Sequence, residues 1–308
     1  SQSGRLSGTI YCPIRSTSAM HPRFNKKRRS LIALTTAVTL LSGALACVML
    51  WPAGKQASAE ISRLADIVER GEIVMITRHG ASSYFIDGEG PNGPEYVLAR
   101  RFADYLGVNL KVRVAEDYAG LASALRTGKG DLIAANLSQT PQREQHFRFA
   151  LPYDQTQTLV VVRKGLRKPE SISDLAGLRG SVLADSSYAE LLQEADAERI
   201  AQAQADSETL PLDWQAVQGL GVEDLLHAVA EGEYEYTLID ERVFRLHEKF
   251  YPGVREAFSL GETQPLAWAF QRDDDDSLVQ AADMFLREAH EDGTLVAILD
   301  SYFAPVER

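Results

Sequence analysis

The sequence predicts an α/β fold in which mostly parallel sheets are flanked by helices on both faces, and three observations predict it. Short apolar runs of strand type alternate with amphipathic helical stretches, glycines stand where the helices must stop, and the alternation halts in mid-chain and starts afresh. The restart divides the folded part into two lobes.

Ile73-Val74-Met75-Ile76 is the first short, buried-type strand. Over residues 95–106, Leu98, Phe102, Tyr105 and Leu106 fall on one helical face, Gly107 supplies the stop, and residues 108–114 then alternate with period two. The order repeats through a helix around residues 121–125, a stop at Gly128 and a strand over residues 131–135. The stretch 164–169 is charged and carries Gly165 and Pro169, which reads as a crossing between lobes. Beyond it come a strand at 182–184, a helix at 188–203, a strand at 214–217, a helix at 222–231 and a strand at 236–239. A second crossing is expected near residues 261–265, and helices near 276–291 and 293–303 return to the first lobe. The expected layout is thus a bilobal domain over residues 60–308, with lobe 1 at about 66–160 and 265–308 and lobe 2 at about 161–264.

With 45% apolar and 24% charged residues, the 308-residue chain is too apolar for disorder and long enough for one large or two medium domains. Its charge of -11 is uneven: residues 1–59 hold eight Lys or Arg and no Asp or Glu, leaving 24 basic against 43 acidic residues beyond. So acidic a body repels phosphate backbones, which argues against nucleic acid as a partner. Both cysteines, Cys12 and Cys47, precede the domain, so neither a disulfide nor a cysteine metal cluster is expected to hold it.

The basic stretch Arg23-Phe24-Asn25-Lys26-Lys27-Arg28-Arg29 is followed by residues 31–51, which carry no charge, and then by Ala57-Ser58-Ala59. That is the order of a secretory signal, and the apolar segment is long enough to span a bilayer at about 20 residues. Residues 1–59 therefore read as a cytoplasmic leader plus a signal peptide or membrane anchor, with the basic flank inside and everything after residue 60 outside the inner membrane. A buried core helix is the competing reading, and it gives the charge asymmetry no purpose. Lipidation at Cys47 is disfavoured because Leu45 stands one place too close to the cysteine.

Ligands of open α/β sheets sit outside the carboxyl ends of strands. After the strand at 131–135 comes Asn136-Leu137-Ser138-Gln139-Thr140-Pro141-Gln142-Arg143, closing at Phe149-Ala150-Leu151-Pro152-Tyr153. Ser138 and Thr140 can present hydroxyls and backbone N–H groups at a helix start, and Arg143 offers a planar fork matching a carboxylate. The same residues also suit a helix cap and a surface charge. Tyr84 and Phe85, after the first strand, are either an aromatic wall for a ligand or core residues. Asp240 is either a ligand contact or the N-cap of a helix over residues 241–250. The run Asp273-Asp274-Asp275-Asp276 lacks the glycine and ligand spacing of a calcium loop and reads as a solvated run capping the next helix.

The stretch 138–153, with its Thr-Pro-x-Arg, its later Phe and its closing Pro-Tyr, resembles the signature of family 3 periplasmic solute-binding proteins. The resemblance implies a two-lobe periplasmic binding protein type II fold closing on a polar amino acid. It further implies that Arg143 takes the ligand's α-carboxylate with help from Ser138, that Ser186 assists from the other lobe, and that Asp240 holds the α-ammonium. A narrower resemblance runs from about Ala65 to Phe303. Gly93-Pro94-Glu95-Tyr96-Val97-Leu98 and the helix and strand that follow, with Glu291-Asp292-Gly293-Thr294-Leu295, are similar to membrane-bound lytic murein transglycosylases of the F type. There this module precedes a lysozyme-like domain that cleaves peptidoglycan with a glutamate, a domain expected to be missing from this chain.

No His-Glu-x-x-His, Gly-x-Ser-x-Gly elbow or phosphate loop occurs, and no carboxylate sits in a lysozyme-like context, so no catalytic residue, metal or cofactor is expected. The leading expectation is a periplasmic, membrane-associated module that binds an amino acid or murein-derived peptide and regulates a transglycosylase domain. It would meet peptidoglycan through that domain and the membrane through residues 31–51. The alternatives are a free-standing amino-acid receptor of an ABC importer and a periplasmic dehydratase on the same fold.

Overall fold

The computed structural model describes residues 62–203 and 209–303, so the basic flank, the apolar segment 31–51, Cys12 and Cys47 lie outside the described residues. Among the described residues no helix is long and apolar enough to cross a membrane.

The first lobe is organised around β1 (Glu72–Thr77), whose Ile73, Met75 and Ile76 are fully buried, and β1 is followed by a short hairpin of β2 (Phe85–Asp87) and β3 (Gly90–Asn92). It pairs in parallel with β4 (Asn109–Val114) on one side and β5 (Leu132–Ile133) on the other. β12 (Ala269–Gln271) joins antiparallel to β5, and β6 (Phe147–Phe149) closes the edge antiparallel to β12. Helix α1 (Arg63–Arg70) starts at Ser62, whose hydroxyl accepts from the Ala65 N–H at 3.2 Å. On one face of the sheet α2 (Pro94–Leu106) buries Leu98, Ala99, Phe102 and Ala103 against α8 (Ser277–Glu291) and α9 (Thr294–Phe303). Phe102, Phe285 and Trp268 form the aromatic centre of that core, with the Trp268 and Phe285 rings stacked at 6.1 Å. Each such side chain removed from water stabilises the fold by about 1.5–3 kcal/mol. On the other face α3 (Tyr118–Arg126) packs Leu121 and Leu125 on Ile76 and Ile133.

The second lobe holds β11 (Val254–Leu266), β7 (Asp154–Arg163), β10 (Tyr236–Asp240), β8 (Arg179–Leu183) and β9 (Asp213–Val217) in that order. β10, β8 and β9 run parallel, β7 is antiparallel to β10, and β11 is antiparallel to β7. Alternation along β7 sends Val160 and Val162 into the core beneath α5 (Ser187–Gln202). It sends Leu159 and Val161 into a second core with Leu226 and Val229 of α6 (Val222–Glu231) and Val243 and Phe244 of α7 (Glu241–His247).

Two expectations are corrected. The sheets are mixed rather than mostly parallel, because β7, β11 and β12 bring in antiparallel pairs. The stretch 164–169 is not a crossing: it follows β7, which already pairs in the second sheet from Asp154 onward. The crossings are the extended segment ending at Tyr153 and the segment through Trp268, which leaves β11 at Leu266. Leu266 pairs with Asp154 of the second sheet and bridges to Ser138 of the first, close to the second crossing expected. Gly and Pro punctuate turns, so Gly165 and Pro169 mark the turn after β7, while Pro152 and Pro265 beside the actual crossings give the same local signal and do not tell a crossing from a turn. The acidic run is partly solvated and partly paired: Asp274 is exposed, Asp273 meets Arg63, Asp276 meets Arg148 at 2.9 Å, and Asp275 accepts from the Arg63 backbone N–H and, at the start of α8, from that of Ser277.

Candidate functional site

Several polar contacts join the lobes and define the cleft. The loop after β5 carries Asn136 in the left-handed region at φ 52°, and its side-chain amide donates to Asp240 Oδ2 at 2.9 Å. The Ser187 and Ser138 hydroxyls stand 3.3 Å apart, and the Thr140 hydroxyl donates to Glu190 at 3.0 Å. Arg78 donates to the Leu220 carbonyl at 3.0 Å.

Arg143 lies on α4 (Pro141–Glu144), a single turn started by Pro141 and capped by the Thr140 hydroxyl, which accepts from the Arg143 N–H at 3.3 Å. Its guanidinium is buried, donating to the Ser138 carbonyl at 2.9 Å and to the Asp185 carbonyl of the other lobe at 3.4 Å. Burial lowers its pKa, with Tyr118 and Glu190 acting against that shift, and among the described residues no carboxylate stands within ion-pair distance of it. Ser186 is fully buried at the N-cap of α5, where its hydroxyl donates to the Leu183 carbonyl and accepts from the Ala189 N–H. Asp185 just before it sits at φ 55°. Arg143, Ser186, Asp185, Glu190 and Tyr118 line one cavity of about 410 Å³ between the lobes, within the range of small-ligand sites.

Asp240 ends β10 and is 3% exposed. Burial pushes its pKa up to about 6, although Tyr188, Thr156, Asn136 and the more distant Arg143 all draw it down. Its side chain makes no capping hydrogen bond to α7, and Oδ1 lacks a donor of good geometry. It lines neither the cavity beside Arg143 nor the narrow one of about 40 Å³ lined by its hydrogen-bond partners Asn136 and Tyr188. The two charges therefore approach the cleft from opposite lobes without sharing one cavity.

Tyr84 does not supply the aromatic wall. It is buried in its own lobe against His79 at 5.5 Å and Tyr96 at 5.8 Å. Tyr118, at the start of α3, does line the cleft, as Tyr188 does, with Arg78 at 4.5 Å and Arg143 at 5.5 Å from the Tyr118 centroid. Sequence reasoning passed over Arg78, Tyr118, Asn136 and Glu95. Arg78 directly follows the first strand, the position where cleft residues are sought. Glu95 stands three and seven residues before Leu98 and Phe102, on the buried face of α2. An acid on an apolar stripe signals a buried carboxylate.

The profile of the bacterial extracellular solute-binding proteins, family 3, matches residues 73–305. The chain is 32% identical over 286 residues to a membrane-bound lytic murein transglycosylase F of Hahella chejuensis, covering 92% of this chain and 52% of that protein. It is 36% identical to its counterpart from Ectopseudomonas mendocina, over 80% of this chain and 49% of that one. The chain thus spans about half the length of these curated relatives. In fold it is similar to an amino acid ABC transporter substrate-binding protein of Streptococcus pneumoniae solved bound to L-arginine. The TM-score is 0.67 at 20% identity, over 77% of this chain and 97% of that one.

Proposed function

The chain belongs to the bacterial extracellular solute-binding proteins, family 3, and from that premise we propose that residues 60–308 bind an amino acid or murein-derived peptide between their lobes. In this reading residues 31–51 export or anchor the module on the outer side of the inner membrane. Ligand-driven lobe closure then regulates peptidoglycan cleavage by a lytic transglycosylase domain such as its longer relatives are named for.

The observation that carries the reading is the pair Arg143 and Asp240, a buried cation on one lobe and a buried anion on the other, neither ion-paired among the described residues. A zwitterion satisfies both: its carboxylate takes the guanidinium fork, with Ser138 and Ser186 beside it, and its ammonium replaces Asn136 as donor to Asp240. Opening of the lobes precedes this, because about 40 Å³ beside Asn136 is too small for an amino acid.

Thermal-shift and calorimetric screening of the chain against amino acids and murein stem peptides tests the reading. Saturable binding that disappears in Arg143→Ala is the expected result. Binding unchanged by that substitution in a folded protein overturns the site, and release of anhydromuropeptides from sacculi by this chain alone overturns a purely regulatory role.

A further inference from the structure

Arg78 is a second cation in the cleft, and its placement bears on which ligands the cleft accepts. It follows β1 directly, is partly buried, and holds its guanidinium 4.5 Å from the centroid of the Tyr118 ring. One terminal nitrogen crosses to the second lobe, donating to the Leu220 carbonyl at 3.0 Å, while Nε is buried without an acceptor among the described residues. Tyr118 lines both the 410 Å³ cavity beside Arg143 and the 40 Å³ cavity beside Asn136, and Arg78 lines the smaller one. In the reading of the cleft given above, an amino acid gripped by Arg143 and Asp240 would run its side chain along Tyr118, which lines both cavities, toward Arg78. A ring face is the preferred seat for a guanidinium or ammonium, and here Arg78 already sits nearest it, with Arg143 at 5.5 Å from the same centroid.

Resting on the reading of the cleft given above, we propose that Arg78 is a specificity-determining residue. Its guanidinium fills the cationic seat on Tyr118, so the cleft rejects ligands with a cationic side chain and takes amino acids or peptide ends with neutral or acidic ones. Two like charges within a few ångströms in a poorly hydrated cleft repel strongly, and the unpaired Nε offers a donor to a carboxylate or amide instead. Glu223, whose carboxyl is held low mainly by His247 and to a lesser degree by Arg78, moderates the charge of Arg78, but one of its oxygens is engaged by His247 at 3.2 Å.

Calorimetry of L-glutamate, L-glutamine and L-arginine against the wild-type chain, Arg78→Ala and Arg78→Lys tests this. The wild type should bind glutamate or glutamine at least tenfold more tightly than arginine. Arg78→Ala, which opens the seat, should gain arginine affinity by at least tenfold, and Arg78→Lys, which keeps the charge, should still reject arginine. A merely structural role would shift all three ligands together. Equal arginine affinity in the wild type and Arg78→Ala overturns the role of Arg78 while leaving the Arg143 site standing. Failure of the wild type and both variants to bind any of the three overturns the role of Arg78 in selecting amino acids, while the Arg143 site is judged separately by the murein stem peptides.

Discussion

The Trp268 indole N–H donates to Glu95 Oε2 at 2.9 Å, joining residues 173 positions apart. The other oxygen of Glu95 accepts from the Tyr153 hydroxyl and the Asn136 backbone N–H. Tyr153 stands at one crossing between the lobes and Trp268 at the other, and Asn136 is the residue that reaches Asp240. One buried carboxylate thus gathers both crossings and the cleft loop, and its own pKa is raised by burial against the pull of those three donors.

Glu95→Gln replaces one acceptor oxygen by a donor and leaves at least one of the three buried donors facing an N–H group. The expected destabilisation is about 1–3 kcal/mol, a fall in Tm of about 2–4 °C per kcal/mol for a domain of this size. Differential scanning calorimetry checks it, and an unchanged Tm would show that the three contacts contribute nothing net.

Asp240 has a folded pKa of about 6 against an ordinary value of 3.8. A raised carboxyl pKa means that the folded protein binds the extra proton, so stability from this group is present below the unfolded pKa. It is lost as pH rises through about 6, at about 1.4 kcal/mol per pH unit in that window. Asp240→Asn should therefore melt higher than the wild type at pH 8, with the difference shrinking as pH falls from about 6 to about 4. A pH series of melting curves on the ligand-free pair of proteins measures that difference.

The same titration acts on binding in the opposite sense. A ligand ammonium requires the ionised Asp240, so affinity should weaken progressively as pH drops below about 6. Asp240→Asn should bind weakly and without that dependence, which calorimetry at a series of pH values reads directly.

Arg143→Ala removes one partner of a buried charged contact, for which losses of about 2–5 kcal/mol are typical. That is about thirtyfold or more in Kd. Arg143→Lys should also lose much of the affinity, because an ammonium cannot reproduce the planar fork that reaches the Ser138 and Asp185 carbonyls.

Gly93 precedes α2 with φ 117°, and a Cβ there would collide with the Ser83 carbonyl oxygen. Gly93→Ala combines disfavoured backbone with overpacking, each costing about 1–3 kcal/mol. Lower Tm and disturbed docking of the helix that carries Glu95 are expected, with near-ultraviolet circular dichroism of Trp268 as the local readout.

Local pattern in the sequence determined most of the regular elements, because period and stop signals act within one element. Leu98 and Phe102 mark the buried face of α2, Gly107 at φ 71° ends it, and Val222 to Glu231 forms the expected helix. Arg143 and Asp240 stand out in the sequence through their place after strands and their likeness to a family pattern, and the fold buries both. Tertiary structure alone decided which chain segments cross between the lobes, since Pro152 and Pro265 beside the crossings read no differently from Pro169 in a turn. It also turned Tyr84 into the core and Tyr118 to the cleft, and brought Glu95, Asn136 and Asp240 into one hydrogen-bonded series. Those outcomes depend on contacts between residues tens to hundreds of positions apart, and no period or spacing within a single element encodes them.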